Sequence, residues 1–115
     1  MNVASDQWGT PTYGDNLAAA VKELALSGCR GTYHVVGPEC LDRVSFARLV
    51  CDVFGLDAGF LRPRTTAELG QRAPRPLRCG LQTAKVRAVL TTELVAPRRG
   101  LELMQQRLRQ EGLLA

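Results

Sequence analysis

Residues 6–13 read DQWGTPTY and run directly into GDNLAAAVKELALSG, residues 14–28. A tight turn before a helix needs only Gly9 and Pro11, so an acid, an amide, an indole and two threonines are surplus to it. Pro11 stiffens the segment, which lowers the entropic cost of holding polar groups ready. Thr and Gln side chains and the turn's N–H groups can donate to sugar hydroxyls or to a phosphate. Trp8 offers a flat apolar face to a sugar ring or a base. Asp6, Gln7, Trp8, Gly9, Pro11 and Thr12 are therefore candidate substrate-binding residues. The same residue types also suit a purely structural turn, in which Asp6 and Thr12 brace the chain and Trp8 fills a gap in the core. Residue types alone leave both readings open.

Outward from the turn, the chain alternates between extended and helical patterns. Val3 lies in a short stub that reads as the end of a strand. Leu17, Val21, Leu24 and Ala25 recur at helical spacing, with Asp15 or Asn16 as N-cap and Gly28 as the stop. GTYHVVG, residues 31–37, has strand composition between two glycines. Stub, helix and strand together read as one β-α-β unit. Asp42 heads a second helix with Val44, Ala47, Leu49, Val50, Val53 and Phe54 on its apolar face and Gly55 at its end. Residues 60–64 are extended, and Thr65 with Glu68 has capping-box spacing. Residues 70–80 form a loop, residues 83–90 a short helix, and the last helix opens at Pro97 and packs through Leu101, Met104 and Leu108.

The fold class that follows is α/β, a small sheet of two or three strands with about four helices, in one domain over residues 1–115. An isolated strand pair is only marginally stable, and β-α-β units normally rest on a wider sheet. The chain therefore reads as the end of something larger. Its first helix and the 33–36 segment are expected to leave apolar surface uncovered.

Composition narrows the function. Hydrophobic residues make up 45% of the chain, and its net charge of +4 sets 13 Arg and 2 Lys against 11 acidic residues. Arginine suits forked recognition of phosphate or carboxylate, although a mild basic excess is also ordinary for a soluble domain. Arg72, Arg75 and Arg78 share a segment with Arg62 and Arg64, against Glu68 as the one acid. Arg75 lies between Pro74 and Pro76, which limit its backbone. It is a candidate for a pyrophosphate, while any single Arg there also serves to cap helix carbonyls or to pair with an acid. A nucleic-acid binder would need arginines on one face with exposed aromatics, and of the few aromatics present Phe46 and Phe54 look committed to a helix core. Cys29, Cys40, Cys51 and Cys79 show no C-x-x-C spacing, so no metal site is expected. They are expected to be reduced and buried as small apolar residues in a cytoplasmic protein. No apolar run approaches bilayer-spanning length. No G-x-G-x-x-G loop and no G-x-S-x-G elbow occurs. Neither Tyr13 nor Tyr33 has a lysine four residues on, and His34 is expected to be a hydrogen-bonded structural residue.

Taken together, DQWGTPTY, the helix start at Asn16-Leu17-Ala18, GTYHVVGPE (31–39), SFARLV (45–50), DVFGL (52–56) and APRPLRCGLQTAKV (73–86) carry a resemblance. They resemble the C-terminal half of the dTDP-4-dehydrorhamnose reductase family, which are extended short-chain dehydrogenases. The resemblance runs from Val3 to about Leu108 and includes the R-P-x-x-x-x-L-x-x-x-K pattern of Arg75, Pro76, Leu81 and Lys85.

The resemblance implies a protein family that reduces the 4-keto group of a dTDP-sugar with NADPH or NADH, for cell-surface polysaccharides. Its N-terminal Rossmann half holds the cofactor and a catalytic Tyr/Lys pair, and its C-terminal half closes over the sugar nucleotide. Asp6, Gln7, Gly9, Pro11 and Thr12 match the turn beside that pocket, and Arg75 matches the Arg of its Arg-Pro element. Asn16 and Asp42 depart from the usual pattern while keeping capping ability. The chain itself is expected to hold no cofactor and no catalytic residue. The implied partners are a nucleotide-sugar substrate and the missing Rossmann half, with a homodimer left open and neither nucleic acid nor membrane expected. The same family includes the regulatory subunit of methionine adenosyltransferase, so a non-catalytic binding or regulatory module is the alternative.

Overall fold

A computed structural model describes all residues from Met1 to Ala115. In chain order the elements are β1 (Asn2–Ala4), β2 (Trp8–Gly9), α1 (Gly14–Leu26), β3 (Leu41–Asp42), α2 (Arg43–Phe54), a 3-10 turn (Ala58–Phe60), β4 (Arg62–Arg64), α3 (Thr66–Leu69), α4 (Ala84–Arg87) and α5 (Pro97–Gln110). The α/β class holds, but the strands form two separate pairs rather than one small sheet. β1 pairs in parallel with β4, and β2 pairs antiparallel with β3.

Residues 31–37 do not form the expected strand, and the β-α-β unit built on it is not present. The alternation itself is real: Tyr33 and Val35 pack on the core while Thr32 and His34 are exposed. What is missing is a neighbouring ladder. The Thr32 carbonyl accepts from Lys85 Nζ at 2.7 Å, and the Gly37 amide donates to Thr12 Oγ1 at 3.0 Å. The parallel partner of β1 is β4 instead, with Ser5 N donating to the Arg64 carbonyl at 2.7 Å.

Helix signals that act within one turn are where they were expected. The Asp42 side chain accepts from Ser45 N, and Gly55 closes α2 in the left-handed conformation at φ 66°. Thr65 and Glu68 make the reciprocal capping box at the head of α3. Pro97 occupies the first turn of α5.

The start of α1 differs from expectation. Tyr13 is its N-cap, without a side-chain bond. Asn16 is drawn away to a distant segment, where its amide donates to the Glu93 carbonyl at 2.7 Å and accepts from Val95 N at 2.9 Å. Asp15 accepts from the Tyr13 hydroxyl and from Arg107 Nη1, each at 2.7 Å. The buried stripe of α1 is also rotated. Ala20 is fully buried and Leu24 packs beside it, whereas Val21 is 48% exposed.

Ala20, Val86 and Leu94 form the core cluster, with Leu24, Tyr33, Val35 and Leu90 around it. Burying a valine as completely as Val86 contributes about 1.5–3 kcal/mol. A second packing layer joins α2 to β1 and α5. Cys51 is buried within it, but Cys29, Cys40 and Cys79 are exposed, contrary to the expectation for all four thiols. They sit in loops that have no core to join. His34 is likewise exposed and makes none of the hydrogen bonds expected of a structural histidine.

The body is flat, 46 × 38 × 20 Å, with a radius of gyration of 16.2 Å. A compact domain of this length has a radius near ~13 Å. The accessible surface is 7831 Å², against about 6,200 Å² for a compact monomer of this mass. Part of the excess is apolar, at Val21, Leu26, Phe60 and Leu77. No helix is long and apolar enough to cross a membrane.

Candidate functional site

The site grows from the β2 segment. Two residues of extended chain cannot stand alone, and β2 is held on both sides. Gly9 pairs with Leu41 and Trp8 with Asp42 on one flank. On the other, Trp8 N donates to the Leu77 carbonyl at 2.8 Å and Cys79 N donates to the Trp8 carbonyl at 3.0 Å. The turn is thus the middle of a three-membered ribbon, whose outer members carry the start of α2 and the arginine loop.

Gln7 ties the parts together. It is 4% exposed, and its carbonyl accepts the Arg43 amide at 3.1 Å. Its Nε2 donates to Thr66 Oγ1 at 3.0 Å and to Gln71 Oε1 at 3.1 Å. Thr66 Oγ1 in turn donates to Asp6 Oδ1 at 2.7 Å, which fixes the orientation of the Gln7 amide. Asp6 also receives Thr66 N at 2.9 and 3.1 Å. These bonds, that from the Thr66 hydroxyl foremost, hold the Asp6 carboxyl below its ordinary value. Asp6 and Gln7 together anchor the head of α3, from which the arginine loop departs.

A hollow of about 380 Å³ opens beside the ribbon, and Gln7, Trp8, Gly9, Pro11, Arg43 and Arg75 are among the residues that border it. Its volume falls within the ~300–1,000 Å³ usual for small-molecule sites. No acidic residue borders it. A Cβ at Gly9 would meet nothing within 4 Å, so the glycine leaves the floor of the hollow open. Arg78 lies over the Trp8 ring, its guanidinium carbon 5.9 Å from the centroid, and orients the indole by cation–π attraction.

The expected site residues therefore divide. Gln7, Trp8, Gly9, Pro11 and Arg75 border one hollow, while Asp6 and Thr12 do not. Thr12 Oγ1 donates to the Thr10 carbonyl and accepts the Gly37 amide, both at 3.0 Å. It faces a neighbouring apolar cleft of about 120 Å³, shared with Tyr13, Phe46 and Leu101. That cleft is too small for a nucleotide.

Arg43 was missed in the sequence. It shares a helix face with Phe46 and Ala47, three and four residues on. A charge placed in that apolar stripe was the available signal.

The residues present do not fit a dinucleotide. β1 leads into Ser5–Gln7 and not into a glycine-rich turn, and the head of α3, which follows β4, already holds the Asp6 carboxylate on its Thr66 amide. Lys85 Nζ sits 4.3 Å from the Tyr33 ring centroid. The Tyr33 phenol is nevertheless pushed up, chiefly by the neighbouring Cys29 thiol. That is the opposite of the lowered pKa that a phenol needs when a lysine activates it.

Comparison with known proteins is decisive at this point: the RmlD substrate binding domain family matches residues 1–110. The chain belongs to that family. It is 32% identical over 109 residues to the dTDP-4-dehydrorhamnose reductase of Mycobacterium tuberculosis, covering 84% of this chain and 36% of that protein. It is 33% identical over 86 residues to a probable low-salt glycan biosynthesis reductase of Haloferax volcanii, covering 75% of this chain and 29% of the relative. The dTDP-4-dehydrorhamnose reductase of Bacillus anthracis, solved in complex with NADP, superposes with a TM-score of 0.82 at 26% identity, over 96% of this chain and 38% of that one. Its Clostridium acetobutylicum counterpart gives 0.85 at 25% identity, over 95% and 39%. The chain thus spans little more than a third of the solved reductases it matches. It is related to reductases of dTDP-sugar and glycan biosynthesis.

Proposed function

We propose that this domain forms the substrate-binding wall of an NADPH-dependent reductase acting on nucleotide-diphosphate sugars, of the dTDP-4-dehydrorhamnose type. One observation carries the reading: Gln7, Trp8, Gly9 and Pro11 of the DQWGTPTY turn meet Arg75 of the Arg-Pro element around one acid-free hollow. A guanidinium beside a hollow without carboxylates suits a diphosphate, and a flat indole and buried amide suit a base or sugar. Reduction itself then belongs to a separate cofactor-binding body, since this chain holds neither the loop nor the acid for it. That division, the single-domain character of residues 1–115 and a cytoplasmic setting are parts of the same proposal.

Calorimetric titration of the chain with dTDP-rhamnose tests it, first alone and then joined to a cofactor-binding half. Saturable binding that Arg75→Met weakens supports the proposal. Absence of binding in both forms refutes it and favours a non-catalytic module.

A further inference from the structure

We infer that Arg43 is the residue that grips the diphosphate, at a neck where two hollows meet. This rests on the reading that the site takes a nucleotide-diphosphate sugar. The hollow beside the ribbon does not end at Arg43. A second one of about 400 Å³ continues along β1, bordered by Val3, Ala4 and Leu69. Only Gln7, Arg43 and Phe46 border both.

A diphosphate joining a nucleoside to a sugar carries its charge in the middle and its bulky groups at either end. A groove made of two chambers with an arginine between them matches that distribution. Arg75 borders one chamber only. It reaches the diphosphate from that chamber alone, and Arg43 supplies the central arm.

The electrostatics agree. Neither Arg43 nor Arg75 takes part in any of the protein's ion pairs, whereas Arg64, Arg98, Arg99 and Arg107 are all paired. The nearest acid in sequence, Asp42, is committed to Ser45, whose amide and hydroxyl it accepts at 2.9 and 2.5 Å. Arg43 is fixed at its root, because its amide donates to the buried Gln7. It also opens α2, a helix of 12 residues, so the positive end of that helix adds to its field. Arg43 is thus rooted at the neck by its main chain, with its side-chain donors unspent.

The test compares dTDP with thymidine by calorimetry on the 115-residue chain, as wild type, Arg43→Met and Arg43→Lys. Arg43→Met is expected to weaken dTDP binding at least tenfold while leaving thymidine unchanged. Arg43→Lys is expected to fall between, since an ammonium keeps the charge and loses the fork. The melting temperature stays within a degree or two, because only the main chain of Arg43 is used in folding. If Arg43→Met binds dTDP as wild type does, while Arg75→Met does not, the inference fails and the nucleotide-sugar reading stands. If the wild type binds neither dTDP nor dTDP-rhamnose, alone or joined to a cofactor-binding half, both fall together.

Discussion

The Gly37 amide donates to Thr12 Oγ1 at 3.0 Å, and a Cβ on Gly37 would lie 2.2 Å from the Pro11 carbonyl oxygen. This contact is backbone on backbone, so nothing flexible can yield. Gly37→Ala is expected to cost about 3 kcal/mol or more, at the upper end of overpacking. Thr12→Val keeps the shape and loses both hydrogen bonds, at about 1–2 kcal/mol. Urea unfolding gives both values, and an unchanged midpoint for Gly37→Ala refutes the brace.

Gly9 presents the reverse case, with free space where its Cβ would be. Gly9→Val should fold with an unaltered circular dichroism spectrum and midpoint, since no atom stands in the way. Its side chain would instead occupy the hollow and remove dTDP binding. Retained affinity in a folded Gly9→Val protein would mean the ligand lies elsewhere.

Glu23 clasps the 91–92 turn, taking Thr91 N, Thr91 Oγ1 and Thr92 N. Those bonds lower its pKa to about 2 from 4.5, the Thr91 amide contributing most. A lowered folded-state pKa means stabilisation present above the unfolded value and lost as acid is added. Glu23→Gln should therefore be less stable than wild type at pH 7. The gap should narrow as pH falls from about 4.5 toward 2. A gap that stays constant across that window rules out the clasp as the cause.

Cys29, Cys40 and Cys79 are exposed and Cys51 is buried. Ellman's reagent should titrate three thiols in the native protein and the fourth only in denaturant. Four equivalents reacting at once would show that the α2–α5 layer is open.

Leu26 at 78% exposed and Val21 at 48% both leave apolar surface of α1 uncovered. An uncovered apolar surface of this kind binds hydrophobic dyes. The isolated chain should enhance the fluorescence of anilinonaphthalene sulfonate, and the enhancement should fall when both residues are changed to serine. No enhancement by the wild type would place that surface under cover.

Local chemistry was legible in the sequence and distant pairing was not. Asp42, Gly55 and the Thr65–Glu68 box act over three or four residues, so the residue types alone announce them. Residues 31–37 alternate as a strand does, but a strand is defined by a neighbour, and their donors and acceptors meet Thr12 and Lys85 instead. β2 and β3 are two residues each, too short for any period to register. Asn16 looked like a cap because nothing in its surroundings reveals Glu93 and Val95. In the site, the turn and Arg75 stood out by composition. Arg43 was hidden because a helix-opening arginine has no local oddity beyond its place on an apolar stripe.

The wall beside the hollow is woven from Trp8, Leu41 and Leu77 neighbourhoods that meet only once the polypeptide has closed on itself. No excised peptide can reproduce such a wall, and occupancy and folding become one equilibrium. Ligand at a hundred times its dissociation constant would add about 2.7 kcal/mol to the native state. A chain with so small an interior would then draw a sizeable part of its thermal endurance from what it carries.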